Sequence, residues 1–337
     1  MTEHGPRADE RTASPGGRTT RGRTVGSLTP ESSGTPTSFG TPTPFDPADP
    51  PAPPPDLTRL SVVIPAYNEA GVIGDSVTKV AAYLARTPDP EVIVVDDGSR
   101  DRTREIVLDV ARTYPFVKLL PNARNRGKGY SIKHGILATR GDYVLYTDAD
   151  LVYPIEGVVP FVRALDAGAD LAIASRSHPG TLFALHPRHF SYIYQRYLVG
   201  RTYINVVNRL LKLGVSDTQA GFKVIRGDAA RAIFARTTLY DFAFDVEALF
   251  IARQLGYSIR ELPVYFLYLG EQSSVQLVKD SALMLADLLQ IREHGRRGDY
   301  RAEPRPGSRA HLTVRPFATP PASATARAGQ AQPLPSS

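Results

Sequence analysis

The 337-residue sequence contains no cysteine and no tryptophan, and only two methionines. Without thiols, disulfide staples and thiolate metal sites are excluded. No run of about 18 or more apolar residues occurs, so no membrane-spanning helix is expected. The N-terminus lacks the apolar core of a secretion signal, which leads us to expect a protein inside the cell. Large aliphatic residues are nearly absent from residues 1–56, where Pro, Gly, Ser, Thr and Arg dominate, and the same bias returns over 301–337. Neither tail can bury enough apolar surface to offset its ordering entropy, and both are expected to be disordered. Roughly 245 residues are left between them, enough for one large α/β domain, and no internal repeat is evident.

Lys and Arg number 40 against 34 Asp and Glu, a formal charge of +6, and Arg far exceeds Lys in the tails and over 176–209. Such an excess suits nucleic acid or an anionic membrane, and equally a solvated compositional bias. The central region carries no nucleic-acid motif, so nucleic acid is not an expected partner.

What the sequence does have is a set of apolar runs ending in acidic residues. Tyr143-Val144-Leu145-Tyr146-Thr147 is β-prone and stops at Asp148-Ala149-Asp150. A buried strand does not tolerate unpaired charge, so both carboxylates belong at or beyond its carboxyl end. There they can offer oxygen to a hard divalent cation beside a phosphorylated ligand. Alone, such a turn reads more simply as solvated. The upstream run Glu91-Val92-Ile93-Val94-Val95, which ends in Asp96-Asp97-Gly98-Ser99, favours the chemical reading. A third run, Leu60 to Pro65, ends at Ala66-Tyr67-Asn68-Glu69. Three strands thus deliver polar residues to one expected edge, the carboxyl edge at which open α/β sheets bind ligands.

Between these runs lie helical periodicities over about 69–85, 102–113, 129–139 and 156–166, with further strands at 116–120 and 169–174. Alternating strands and helices predict an α/β fold with a doubly wound, mostly parallel sheet. The loop Asn125-Arg126-Gly127-Lys128-Gly129 places an ammonium and two glycines at a helix start. Backbone amides and Lys128 can approach a phosphate there, although an ordinary capped turn accounts for the residues as well.

Taken in order, these segments resemble the nucleotide-sugar half of inverting GT-A glycosyltransferases of family 2, which contains the dolichyl- and polyprenyl-phosphate sugar synthases. Asp217-Thr218-Gln219-Ala220-Gly221-Phe222-Lys223, Phe244-Asp245-Val246-Glu247, Val278-Lys279-Asp280-Ser281 and Asp287 to Arg292 are similar to its dolichyl-phosphate β-glucosyltransferase branch. The resemblance spans about 59–293, within a GT-A domain expected over 57–300. It implies that Pro65, Tyr67, Glu69 and Asp96 line the base and ribose, with Asp97 near the ribose or the metal. Lys128 joins the nucleotide-sugar set. Asp148 lies by the diphosphate, and Asp148 and Asp150 hold Mg²⁺ or Mn²⁺, with Asp150 the firmer ligand and a catalytic residue. Related mannosyl synthases often place a Gln two residues beyond the second Asp; here that position is Val152, so a third ligand must be water or come from elsewhere.

A lipid-phosphate acceptor is already anionic and needs positioning more than deprotonation. Arg176 and Arg196 are the expected catalytic cations gripping that phosphate, with Lys223 as a third contact, since Arg holds phosphate bidentately. Asp217 stands where hydroxyl-acceptor relatives carry a catalytic base, or else it orients an Arg or Lys223. Asp245 and Glu247 read as supporting acids or as ordinary helix-start acids. Aromatic and aliphatic residues mixed with Arg over 190–211, and a second amphipathic stretch at about 272–294, predict C-terminal and acceptor-side helices able to lie on a membrane surface; core packing explains the second stretch equally well.

The expected reaction moves a hexose, glucose from UDP-glucose, to a polyprenyl or dolichyl phosphate with inversion, at the cytoplasmic face of a membrane. The alternatives are mannose transfer from GDP-mannose, transfer to a hydroxyl acceptor, and a non-catalytic nucleotide-sugar-binding protein. The intact set Asp96, Asp97, Asp148 and Asp150 argues against the last. A sugar-phosphate nucleotidyltransferase needs a Gly-rich loop after the first strand, which Ala66-Tyr67-Asn68-Glu69 is not.

Overall fold

The computed structural model describes residues 57, 59–185, 190–241, 243–268 and 277–301, with backbone alone at 185, 190–193, 195–197, 268 and 277–284. The two expected tails, Arg301 apart, lie outside the described residues.

The three acidic-ended runs form neighbouring strands. β1 (Leu60–Ala66), β2 (Glu91–Asp96), β3 (Val117–Pro121) and β4 (Tyr143–Thr147) are parallel, and β2 is buried along its whole length. Helices α1 (Ile73–Leu84), α2 (Thr103–Thr113) and α3 (Lys128–Ala138) make the crossovers. A short 3-10 turn, Ile155–Val158, then leads into α4 (Val159–Asp166) and β5 (Leu171–Ala174). Where periodicity suggests one helix over 156–166, Pro160 near the start of α4 instead favours a fresh helical start at 159.

Beyond the long helix α5 (Phe190–Leu211), β7 (Phe222–Arg226) enters the sheet antiparallel between β4 and β5, and β8 (Ile259–Leu262) closes the edge. The sheet order is β3-β2-β1-β4-β7-β5-β8. β6 (Leu182–Leu185) and β9 (Tyr265–Tyr268) pair in a small separate sheet. Since β7 runs against its neighbours β4 and β5, its amino end lies at the same sheet edge as the carboxyl ends of β1, β2 and β4, which brings residues 217–221 to the acidic edge.

Alternate strand residues fill two cores. Val62, Ile64, Val92, Val94 and Leu145 face α1, α2 and α4, while Val63, Ile93, Val95, Val144 and Tyr146 face α3 together with α6 (Gly227–Arg236) and α7 (Phe244–Gln254). This is the period of two expected of strands buried on both faces. Full burial of each aliphatic side chain contributes roughly 1.5–3 kcal/mol. Helix α3 seats deeply because Gly135 faces Val63: a Cβ there would lie 2.4 Å from Val63 Cγ1. Helix α8 (Leu277–Arg297) packs against α5 and α7, and Leu288 and Ile291 are buried in the second core. Its inward face is therefore core, and its outward face carries exposed Leu285 and Leu289.

Candidate active site

Each strand end at the carboxyl edge is fixed by hydrogen bonds from its neighbours. After β1, the turn at Asn68 is left-handed (φ 56°), a conformation Asn tolerates better than most residues. The next loop stitches it down. Asn68 N donates to Ser99 Oγ (2.9 Å), Glu69 N to Thr103 Oγ1 (2.9 Å) and Ala70 N to Asp101 Oδ2 (3.0 Å), while Arg100 N donates back to Asn68 Oδ1 (2.9 Å). Asp101 also accepts from Thr103 N at 3.0 Å, satisfying one free amide at the start of α2. These bonds hold half-buried Pro65 and Glu69 and exposed Tyr67 beside the end of β2.

Asp96 is wholly buried and accepts from Gly98 N (3.3 Å), Ser99 N (3.1 Å) and the Arg104 guanidinium. Arg104 also donates to Asn122 O (3.2 Å), tying β2 to β3. Sequence reasoning missed this arginine; its cue is its place in the first turn of α2, eight residues after Asp96.

Asp97 serves the loop more than it faces a ligand. One oxygen accepts from Asn122 Nδ2 (2.7 Å), the other from Gly127 N (2.9 Å), and both from Arg126 N (3.0 Å). Burial pushes its carboxyl above the ordinary range, and these hydrogen bonds offset only part of that push. Asp97 thereby builds the loop that ends in Gly127, whose φ of 94° suits glycine. A Cβ on Gly127 would also lie 2.6 Å from Tyr240 O.

The loop delivers Lys128, at the first position of α3, to Asp148: Nζ lies 2.5 Å from Oδ1. Burial disfavours the ammonium, but Asp148, then Asp245 and Asp150, raise its proton affinity overall, so it stays charged. Gly221 presses on the same carboxylate; a Cβ there would lie 2.0 Å from Asp148 Oδ2. Two residues on, Asp150 Oδ1 accepts from Val152 N (3.3 Å). Leu151 between them adopts φ 47°, a strained value for leucine.

Arg176 follows β5 and grips Asp217 with both ends of its guanidinium: Nε at 2.7 Å and Nη2 at 2.9 Å, with Arg176 N adding 3.0 Å. Burial pushes the Asp217 carboxyl up. The Arg176 charge and the amides of Arg176 and Gln219 outweigh it, holding the carboxyl below its ordinary range. Glu261 fixes this turn by accepting from Ser216 N (2.8 Å) and Asp217 N (3.1 Å).

Lys223 departs from its expected position. Its ammonium is 1% exposed and bonds Asp245 (2.7 Å) and Ala220 O (2.7 Å), while Tyr146 OH donates to the same Asp245 oxygen (2.7 Å). β-strand alternation turns Lys223 into the second core, so it braces the 217–221 turn from beneath and does not reach an acceptor phosphate. Glu247 is likewise structural, accepting from Thr238 N, Leu239 N (both 2.8 Å) and Tyr300 OH (2.9 Å). Arg196 lies on α5, and its side chain is outside the described residues.

Asp148 and Asp150 supply hard oxygen donors, and no cluster of three or more His, Cys, Asp or Glu ligands occurs among the described residues. Asp148 already faces one cation, the Lys128 ammonium, so this pocket stabilises positive charge. Two carboxylates beside a diphosphate and water suit Mg²⁺ or Mn²⁺, which accept such mixed oxygen sets.

Comparisons with known proteins agree with this geometry. The model for "Glycosyl transferase family 2" matches residues 61–234. Dolichyl-phosphate beta-glucosyltransferase of Dictyostelium discoideum is 31% identical over 253 residues, covering 71% of this chain and 75% of that protein. The Saccharomyces cerevisiae protein of the same name is 32% identical over 260 residues, covering 72% and 76%. Glucosyl-3-phosphoglycerate synthase from Mycobacterium tuberculosis, solved in complex with uridine-diphosphate, superposes with a TM-score of 0.52 at 22% identity, covering 70% of this chain and 80% of that one. The likeness establishes the GT-A fold.

Proposed function

The chain belongs to glycosyl transferase family 2, and from that premise we propose that it transfers glucose from UDP-glucose to a polyprenyl or dolichyl phosphate, inverting the anomeric centre. The Arg176–Asp217 pair carries this reading. A base for a hydroxyl acceptor needs a proton affinity near the working pH. Asp217 is instead held below the ordinary carboxylate range by the guanidinium it binds. An acceptor that arrives as an anion removes the need for a base and gives Arg176 something to position. The names of the relatives, dolichyl-phosphate beta-glucosyltransferases, support the same choice.

In this reading Tyr67, Glu69 and the Asp96–Arg104 pair receive the nucleoside, and Lys128 and Asp148 face the diphosphate. A phosphate oxygen of the acceptor, oriented by Arg176, attacks the anomeric carbon from the side opposite the diphosphate. The new C–O bond forms as the bond to the diphosphate breaks, leaving a β-linked lipid-phosphate sugar and free UDP. Asp148 and Asp150 would hold Mg²⁺ or Mn²⁺, which supplies Lewis-acid neutralisation of the departing nucleoside diphosphate.

A lipid acceptor requires access to a bilayer. Among the described residues no helix is long and apolar enough to cross one. Tyr194 and Leu198 on α5, and Leu285 and Leu289 on α8, are exposed at i, i+4 spacing on helices that pack together. These apolar stripes support peripheral attachment, with the Arg-rich composition aiding contact with anionic lipid. At a cytoplasmic membrane face the nucleotide sugar would be at hand.

Incubating the protein with UDP-glucose or GDP-mannose, and with polyprenyl phosphate or the unphosphorylated polyprenol, tests the proposal. Labelled lipid should form from UDP-glucose and the phosphate. Transfer only to the alcohol would overturn the acceptor class, and label only from GDP-mannose would overturn the sugar.

A further inference from the structure

We propose that the hydroxyl of Tyr153 is a second donor to the acceptor phosphate, completing the grip that Arg176 begins. The inference rests on the lipid-phosphate reading above and adds to it a residue that touches the acceptor anion.

Three observations carry it. First, Tyr153 is 2% exposed, and among the described residues its hydroxyl has no hydrogen-bond partner. A buried tyrosine usually finds one, because a phenol stripped of water without compensation costs free energy. Second, the ring is held from two sides. Its centroid lies 6.0 Å from that of Phe222 and 5.5 Å, edge-on, from that of Phe266. The backbone just before it is held too: Val152 N donates to Asp150 Oδ1 (3.3 Å), and Val152 O accepts from Leu267 N (2.8 Å). Third, the charged groups that act on the hydroxyl are those of the site, Arg176 and Asp217 ahead of Asp148 and Asp150. Tyr153 acts in turn on Arg176.

Arg176 by itself is an incomplete phosphate clamp. Asp217 takes its Nε–H and an Nη2–H, which leaves only part of the guanidinium fork for a ligand. The same carboxylate offsets the positive charge, so an arriving anion meets a nearly neutral pair. It therefore gains from a further donor beside Arg176. A phenol suits the place because it donates without adding charge, whereas an ammonium would compete for Asp148 and Asp150, the expected ion ligands. Burial raises the proton affinity of Tyr153 against the opposing pull of Arg176. The phenol thus keeps its hydrogen at neutral pH and can donate it to an oxygen of the anion.

The test compares full-length wild type with Tyr153→Phe, which keeps the ring and removes the donor. Initial rates of transfer from saturating UDP-glucose with Mn²⁺ would be followed while polyprenyl phosphate is varied in detergent. The KM for polyprenyl phosphate should rise about tenfold or more, the loss expected for a hydrogen bond to a charged group. UDP affinity, measured by calorimetry, should stay at the wild-type value. The thermal midpoint should not fall, since the hydroxyl bonds no protein group among the described residues. If wild type glucosylates polyprenyl phosphate and Tyr153→Phe shows an unchanged KM for it, the role of the hydroxyl is wrong while the lipid-phosphate reading stands. A raised KM accompanied by an equal loss of UDP affinity, or by early melting, would overturn the role too, because the hydroxyl would then serve the donor or the fold. If wild type glucosylates only the unphosphorylated polyprenol, the acceptor reading itself falls, and this inference with it.

Discussion

Replacing Gly221 with alanine is the sharpest perturbation the site offers. The added methyl would lie 2.0 Å from one Asp148 oxygen, 2.5 Å from its carboxyl carbon and 2.7 Å from the other oxygen, all far inside van der Waals contact. The backbone has little freedom to absorb this, because Thr147 pairs with Phe222 immediately beside the two residues, in the middle of the sheet. The carboxylate must swing aside by roughly 1 Å or more, losing its place against Lys128. Displacements of about 1 Å in a catalytic constellation cost on the order of 100-fold in rate, or about 2.7 kcal/mol of barrier. Folding should suffer less, about 1–3 kcal/mol for local overpacking. Initial rates of lipid glucosylation, Mn²⁺ binding and urea unfolding would be compared for Gly221→Ala and for Gly157→Ala, where an added Cβ meets nothing within 4 Å. Gly157→Ala should be near wild type in all three. A well-folded Gly221→Ala protein keeping kcat/KM within about twofold of wild type would refute the close packing of Asp148 as a functional constraint.

Other outcomes follow from the buried pairs. Lys223→Met takes from buried Asp245 its ammonium partner and should cost about 3–5 kcal/mol in urea unfolding; adding Asp245→Asn, which keeps an acceptor for Tyr146, should recover part of that loss. Asp217 has a depressed carboxyl, so its stabilising contribution is present above the unfolded value near 3.9 and fades as pH falls through the lower folded value. The stability gap between wild type and Asp217→Asn should therefore be flat at neutral pH and narrow below about pH 4, as followed by unfolding across pH. Asp217→Asn should also raise the KM for lipid phosphate through a loosened Arg176, where a lost base would lower kcat. Tyr300→Phe removes the hydroxyl that reaches Glu247 and should cost about 1–2 kcal/mol by thermal melt.

Much of this architecture is legible in the sequence because it follows from local patterning. Three apolar runs ending in polar residues announce three of the parallel strands and the edge they share, and the Asp-Ala-Asp turn points to the chemistry expected there. The entry of β7 against its neighbours is not legible, since Phe222-Lys223-Val224-Ile225 has no directional mark. That one reversal decides that Gly221 touches Asp148 and that Lys223 points into the core. For the same reason a lysine near an arginine-rich segment reads as a phosphate contact until its strand alternation is known. The role of Asp97 escapes pattern reading too, because its partners, the amides of Arg126 and Gly127, lie some thirty residues away and carry no side-chain signal. The sequence leaves Asp217 as a base or as a carboxylate that orients an Arg or Lys223, and only the proximity of the β5 end to the turn before β7 picks out Arg176 as its partner.

The most direct measurement is glucosyl transfer from UDP-glucose to dolichyl phosphate by chelator-treated wild type and Asp150→Ala, with Mn²⁺ or Mg²⁺ then restored. Wild type should fall silent under chelation and recover when either ion is supplied, while Asp150→Ala should stay at background throughout. Full-rate transfer by the chelated enzyme, or by Asp150→Ala, would contradict the account at its root.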